Sequence, residues 1–235
     1  MKHYTYDSPF KMKDLEGNEY TLTVEQDECP EDPRNWDNLC TMVYWHQNYR
    51  LGDKHNFNYK WDFLQDLCEE LLGIDCEDMT ENEMLQKLKN SDKILIKPIN
   101  MYEHSGITVS TSNSYPYNDR WDSGCVGFIY VTKDRIFKKC GNITEENWRE
   151  RADKYIEGEM ETYDQYLRGD IYGYTLTKIV HVRDEIKCPH CNEVIRVDEY
   201  EDEEEIDSCW GFYGDCLEEN GILGNISNDI KLVEA

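Results

Sequence analysis

Charge is spread along this chain unevenly enough to separate core from surface before any motif is considered. Residues 101–150 carry 7 Asp and Glu against 6 Lys and Arg, whereas the last 35 residues carry 11 against 1. An apolar interior admits few unpaired charges. The near-neutral middle, rich in Val, Ile, Phe, Tyr and Gly, is therefore the expected core, and the acidic flanks are expected at the surface. Over the whole chain, 50 acidic residues against 25 basic ones leave a formal charge of −25. Such a chain repels nucleic acid and anionic membrane and is drawn to basic surfaces, including the grooves in which other proteins hold DNA or RNA. Direct nucleic-acid binding is not expected. The same charge also serves plain solubility.

A length of 235 residues suits one domain over 1–235, with a CxxC hairpin module at 183–200 and an acidic C-terminal segment at 199–235. Residues 1–30 show no apolar stretch after a basic start, and no run approaches bilayer length, so a cytoplasmic protein without membrane contact is expected. Ten cysteines in that setting predict reduced thiols, buried or metal-bound, rather than a disulfide framework.

Local patterns predict α+β with a mostly antiparallel sheet. Residues 18–25 alternate and read as a strand, closed by the turn DECPEDP, and 40–46 form a second strand. Apolar residues at helical spacing over 60–72 predict a helix stopped by Gly73; Thr80 with Glu83 forms a capping box for a short helix over 80–89. Residues 94–99 and 107–111 are strand-like, and 112–120 is a loop. The run CVGFIYVT at 125–132 has strand length and no alternation, which predicts burial on both faces. A long amphipathic helix is expected over about 144–168, capped by Asn142 or Thr144, with Trp148, Ala152, Tyr155, Ile156, Tyr163 and Leu167 inward. Residues 172–182 return as a strand, 193–198 pair with it as a hairpin, and the charge run at 199–207 reads as a solvated loop.

Residues 36–46 (WDNLCTMVYWH) echo residues 121–131 (WDSGCVGFIYV), with Trp, Asp and Cys in register. Trp36, Val43, Trp45, Trp121, Phe128 and Tyr130 are thus expected in one sheet-centred core.

Three groups of residues are chemically suggestive. Cys188-Pro189-His190-Cys191, followed by Asn192, places two thiols on a tight turn at a hairpin tip. With Cys209 and Cys216 as the remaining ligands it would form a structural zinc site; a bare turn with reduced thiols is the alternative. The letters CPHC also resemble redox dithiols, but that chemistry wants a helix after the first Cys, and here a strand follows. His104 with Asp122 and Cys125 is a nucleophile, base and orienter set for a Cys/His hydrolase or nucleotide-processing enzyme; the alternative is packing of these side chains. Glu150, Asp153, Glu157, Glu161 and Asp164 recur every three or four residues, a carboxylate stripe with a pitch of about 5–6 Å that a basic groove could read as phosphates. An ordinary solvated helix face has the same pattern.

Several strings, taken together, carry a resemblance: Tyr102-Glu103-His104-Ser105-Gly106-Ile107-Thr108, Trp121-Asp122-Ser123-Gly124 with Val126–Val131, Glu161–Leu167 with Gly169–Tyr174, and Asp207–Gly214. Over residues 30–215 the chain resembles an uncharacterised family that recurs in bacteriophages and other mobile elements. The resemblance implies a setting in which small acidic proteins often inhibit host defence. The expectation is a protein that binds a basic host factor handling nucleic acid, by mimicry of nucleic acid, with an enzyme at His104/Asp122/Cys125 and a module binding through exposed Tyr and Trp as rivals.

Overall fold

The computed structural model describes residues 9–103, 106–111 and 123–233. They form an α+β fold of five α-helices and nine strands, with every strand pair antiparallel. Within the span expected as one domain, the contacts make two compact units, Glu31–Arg168 and Met1–Pro30 with Gly169–Ala235.

The unit over 31–168 is a sheet covered on both faces. Its four strands run in the order β3 (Thr41–Tyr44), β6 (Ser123–Thr132), β4 (Ile94–Glu103), β5 (Ile107–Ser110). Because side chains alternate along a strand, Val43, Ile94, Ile96 and Phe128 face one way and Met42, Ile99, Ile129 and Val131 the other. The first set packs on α1 (Lys60–Leu72) and α2 (Glu81–Asn90) through Phe63, Leu64, Leu67, Met84 and Leu88. The second packs on α4 (Trp148–Arg168) through Trp148, Ala152, Ile156, Met160 and Tyr163. This explains the unbroken apolar run in β6. Burial of each such side chain contributes about 1.5–3 kcal/mol. Gly127 is needed where β6 meets β3, since a Cβ there would lie 2.0 Å from the Val43 carbonyl oxygen. Pro98 is tolerated in β4 because β5 pairs only with residues 100–103, leaving Pro98 a single neighbouring strand.

Expected helix ends fall where their chemistry puts them. Gly73 takes the left-handed conformation (φ 69°) after α1, and Thr80 and Glu83 form the capping box of α2. The long helix begins at Trp148, with Thr144 and Asn147 exchanging capping hydrogen bonds one turn earlier. A short helix, α3 (Lys133–Lys139), precedes it and was not anticipated. The echoing strands are neighbours in the sheet, Val43 opposite Phe128. Their tryptophans do not share a core: Trp36 is exposed, Trp45 is half-buried, and Trp121 lies outside the described residues. Tyr155 is also exposed, and Met160 takes the inward place instead.

The other unit is a five-stranded sheet in the order β8 (Val194–Tyr213), β7 (Ile171–Lys187), β2 (Glu19–Gln26), β1 (Phe10–Lys13), β9 (Lys231–Leu232). Its core joins Met12, Leu22, Val24, Tyr174 and Leu176 to Leu217, Ile222 and Ile226, the last three around the short helix α5 (Ile222–Asn225). Trp210 lies across Gly173, where any Cβ would collide with its ring at 2.1 Å, so the aromatic covers a glycine in the neighbouring strand. The charge run at 199–207 is not a loop. It belongs to the 20-residue strand β8, paired with β7 almost throughout.

Candidate functional site

Strand β2 pairs with β7 only as far as Lys178. Beyond it, Ile179–Lys187 and Val194–Glu203 continue as a two-stranded arm, about 30 Å long at about 3.4 Å per residue. Strand β8 is the edge strand, so its carboxylates have a neighbour on one side only. Glu199, Glu201, Glu203 and Glu205 stand opposite Arg183, His181, Ile179 and Thr177, which places all four on one face of the ribbon in steps of about 7 Å. Because Leu176 and Thr177 point to opposite faces, this acidic face is the one turned away from the hydrophobic core. Arg183 lies 3.8 Å from Glu199 and His181 3.6 Å from Glu201; Glu203 has no ion pair among the described residues. On the other face, Val180, Val182, Ile186 and Tyr200 are interspersed with Asp184, Asp198, Asp202 and Glu204, so the arm is acidic on both faces. Charge at nearly every position also blunts the edge against sheet-to-sheet aggregation.

At the arm's tip, Cys188 N–H donates to the Glu193 carbonyl and Asn192 N–H to that of Cys188, at 2.7 and 2.9 Å. Asn192 is left-handed (φ 59°), as the turn requires. The backbone N–H groups of Cys191 and His190 are directed at the Cys188 sulfur and hold its pKa below the ordinary thiol value. Cys209, the nearest of the other proposed ligands in sequence, pairs with Tyr174. It is fifteen residues along β8 from Val194, or about 50 Å. Cys209 therefore cannot join Cys188 and Cys191 around one ion within the chain, and no group of three or more metal-ligating side chains exists among the described residues.

The helical stripe is largely committed. Glu150 pairs with Lys154, and Lys97 pairs with both Asp153 and Glu157. Asp164 docks on β5: it accepts from Thr108 Oγ1 and Val109 N at 2.6 and 2.7 Å and pairs with Arg168. Glu161 alone has no ion pair among the described residues. Of the enzymatic set, His104 and Asp122 lie outside the described residues. Cys125 is exposed rather than buried, and its carbonyl accepts from Lys60 Nζ at 2.6 Å.

Two features escaped the sequence reading. Arg34, side chain 4% exposed, donates to both Asp53 oxygens at 3.0 and 2.8 Å, to Glu159 at 2.9 Å and to the Cys40 carbonyl. Glu159 also accepts from Leu39 and Cys40 N–H, and Asp53 from Met42 N–H. Pro33 opens a 3₁₀ turn capped by Asp32, which positions Arg34 for these bonds. The network ties β3 to α4; it is structural. Beside it, a cleft of about 720 Å³ is lined by Tyr44, Trp45, His46, Tyr49, Arg50 and His55 among others. The buried Tyr44 hydroxyl and His55 Nδ1 have no hydrogen-bond partner among the described residues. His55 Nε2 lies 2.9 Å from the Tyr44 carbonyl, which can only accept, so a neutral ring presents Nδ1 as an acceptor.

No described helix is long and apolar enough to cross a membrane. Comparison of the chain with protein families, with curated proteins and with solved structures finds no match.

Proposed function

We propose that the protein acts by binding, as an acidic ligand for the basic groove of a protein that handles nucleic acid. The observation that supports this is the acidic face of β8. Its four carboxylates are regularly spaced, exposed and turned from the core, at about twice the 3.4 Å axial rise of successive phosphates along one DNA strand. The stripe on α4 contributes less to this reading, because its carboxylates already serve Lys97, Lys154 and β5. Opposing potentials speed encounter and select partners, and they weaken as salt screens them. The mobile-element resemblance points to a bacterial host as the source of the partner. Immobilised protein incubated with bacterial lysate at 50 and 500 mM salt tests the reading. A captured protein should be held at low salt only, be displaced by double-stranded DNA, and be lost with Glu201→Lys/Glu203→Lys/Glu205→Lys. Capture that persists in high salt, resists DNA or survives that variant would end it.

A second reading, small-ligand binding, rests on the cleft, whose lining includes Tyr44 and His55, the two residues that carry a buried polar atom without a partner among the described residues. Nucleosides and their monophosphates should then raise the thermal midpoint of the native protein and fail to do so in Tyr44→Phe/His55→Phe. No shift with any of them would remove this reading.

A further inference from the structure

We infer that the Cys188–Cys191 tip is half of a tetrahedral zinc site that a second copy of this chain completes, joining two arms tip to tip. This goes beyond the binding role above and stands independently of it. Two separate observations point to it. The first is the turn itself: two unbridged thiols three residues apart, backbone hydrogen bonds from Cys188 to Glu193 and from Asn192 to Cys188, and a left-handed Asn192 closing the loop. This arrangement sets two sulfurs at one edge of a tetrahedron, and a closed structural zinc site needs four ligands. The chain does not supply a full set, since the arm carries the tip far from Cys209; Cys191 Sγ donates to a Glu193 carboxylate oxygen at 3.7 Å, but no group of three or more side chains among the described residues could hold a metal ion.

The second observation is the surface around the tip. Ile186, Val194, Ile195 and Val197 are all exposed, Ile195 at 66%, next to the turn. Exposed aliphatics gathered at one place mark a contact surface. Charge agrees: residues 186–197 carry Lys187 and Arg196 against Glu193 alone, and the acidic run begins at Asp198. Two tips therefore meet without the repulsion that two β8 edges would feel. A second copy is the occupant because it brings both missing thiolates and a matching aliphatic collar. The two-fold contact is isologous, each tip meeting its own image. On binding, four S–H protons leave to solvent as four Zn–S bonds form at about 2.3 Å, and each Glu193 carboxylate gives up the hydrogen bond from its Cys191 thiol.

The test uses full-length protein, stripped of metal and kept reduced with a phosphine, titrated with zinc chloride while mass is followed by light scattering. The expected result is saturation at about 0.5 zinc per chain with a doubling of mass, reversed by EDTA. Cobalt(II) in place of zinc should give the thiolate charge-transfer and visible bands of a tetrahedral four-sulfur site. Cys188→Ser/Cys191→Ser should lose metal and dimer while keeping the wild-type circular dichroism and thermal midpoint of the metal-free protein, because the tip stands at the far end of the arm from the core of its own unit. Ile195→Glu should weaken the dimer at least tenfold. One zinc per chain on a monomer, no binding at micromolar zinc, or a dimer indifferent to EDTA would overturn the proposal. So would metal retained by the double variant, or Ile195→Glu dimerising like the wild type.

Discussion

Arg34 and the β7–β8 arm put the same chemical groups to opposite use. Around Arg34, two carboxylates are drawn inward, meet one guanidinium and accept hydrogen bonds from three backbone N–H groups. Along β8, four carboxylates face water on an edge strand, opposite partners that neutralise few of them. A carboxylate that folding requires is surrounded by donors. One that folding does not require is left to solvent, where it adds self-repulsion unless something outside the chain uses it. The contrast separates the charge that builds this protein from the surplus that it presents.

The comparison breaks first at Arg34. Arg34→Met would leave Asp53 and Glu159 charged, substantially buried and facing each other with no cation between them. Removing one partner of a buried ion pair typically costs about 3–5 kcal/mol, a large share of a domain's stability. Urea unfolding should show that loss, and Arg34→Lys should recover little of it, since an ammonium cannot bridge both Asp53 oxygens and Glu159 together. A variant within 1 kcal/mol of the wild type, by the same measure, would mean that the network is not structural.

Legibility in the sequence follows the range of the interaction. Gly73 after α1 and the Thr80–Glu83 box of α2 are local chemistry, and they fall where the residues alone place them. The two-sided burial of β6 was visible in its unbroken apolar run. The α3 helix carried a local signal, Thr132 accepting from Arg135 N–H, but is too short to show a period. The Arg34 site was not legible, because its three side chains stand at positions 34, 53 and 159 and only the folded sheet unites them. Strand β8 was hidden for a related reason. Glu and Asp are poor strand formers by local preference, and EYEDEEEID becomes a strand only through its ladder with β7. The reach of the arm, and with it the separation of Cys209 from the tip, follows from that ladder.

The smallest expected effect sharpens the comparison most. Reversal of Glu157, Glu161 and Asp164 on α4 and reversal of Glu201, Glu203 and Glu205 on β8 change net charge equally, and counting charges predicts equal outcomes. The structure predicts different ones. On α4, Asp164→Lys removes the acceptor of Val109 N–H and Thr108 Oγ1, and Glu157→Lys opposes Lys97; an unsatisfied, partly buried donor costs about 1–3 kcal/mol. On β8, the same number of lysines enters a surface whose side chains are exposed, where substitutions stay within about 0.5 kcal/mol. Placing cations among Glu199, Asp202 and Glu204 also relieves like-charge repulsion along the edge, which offsets the loss of strand contacts such as His181 with Glu201. Urea midpoints of the two triple variants, measured side by side at low salt, should therefore separate, with the β8 variant near the wild type. Equal destabilisation would mean that the β8 carboxylates take part in holding the fold, and the distinction between building charge and presented charge would fail at the arm.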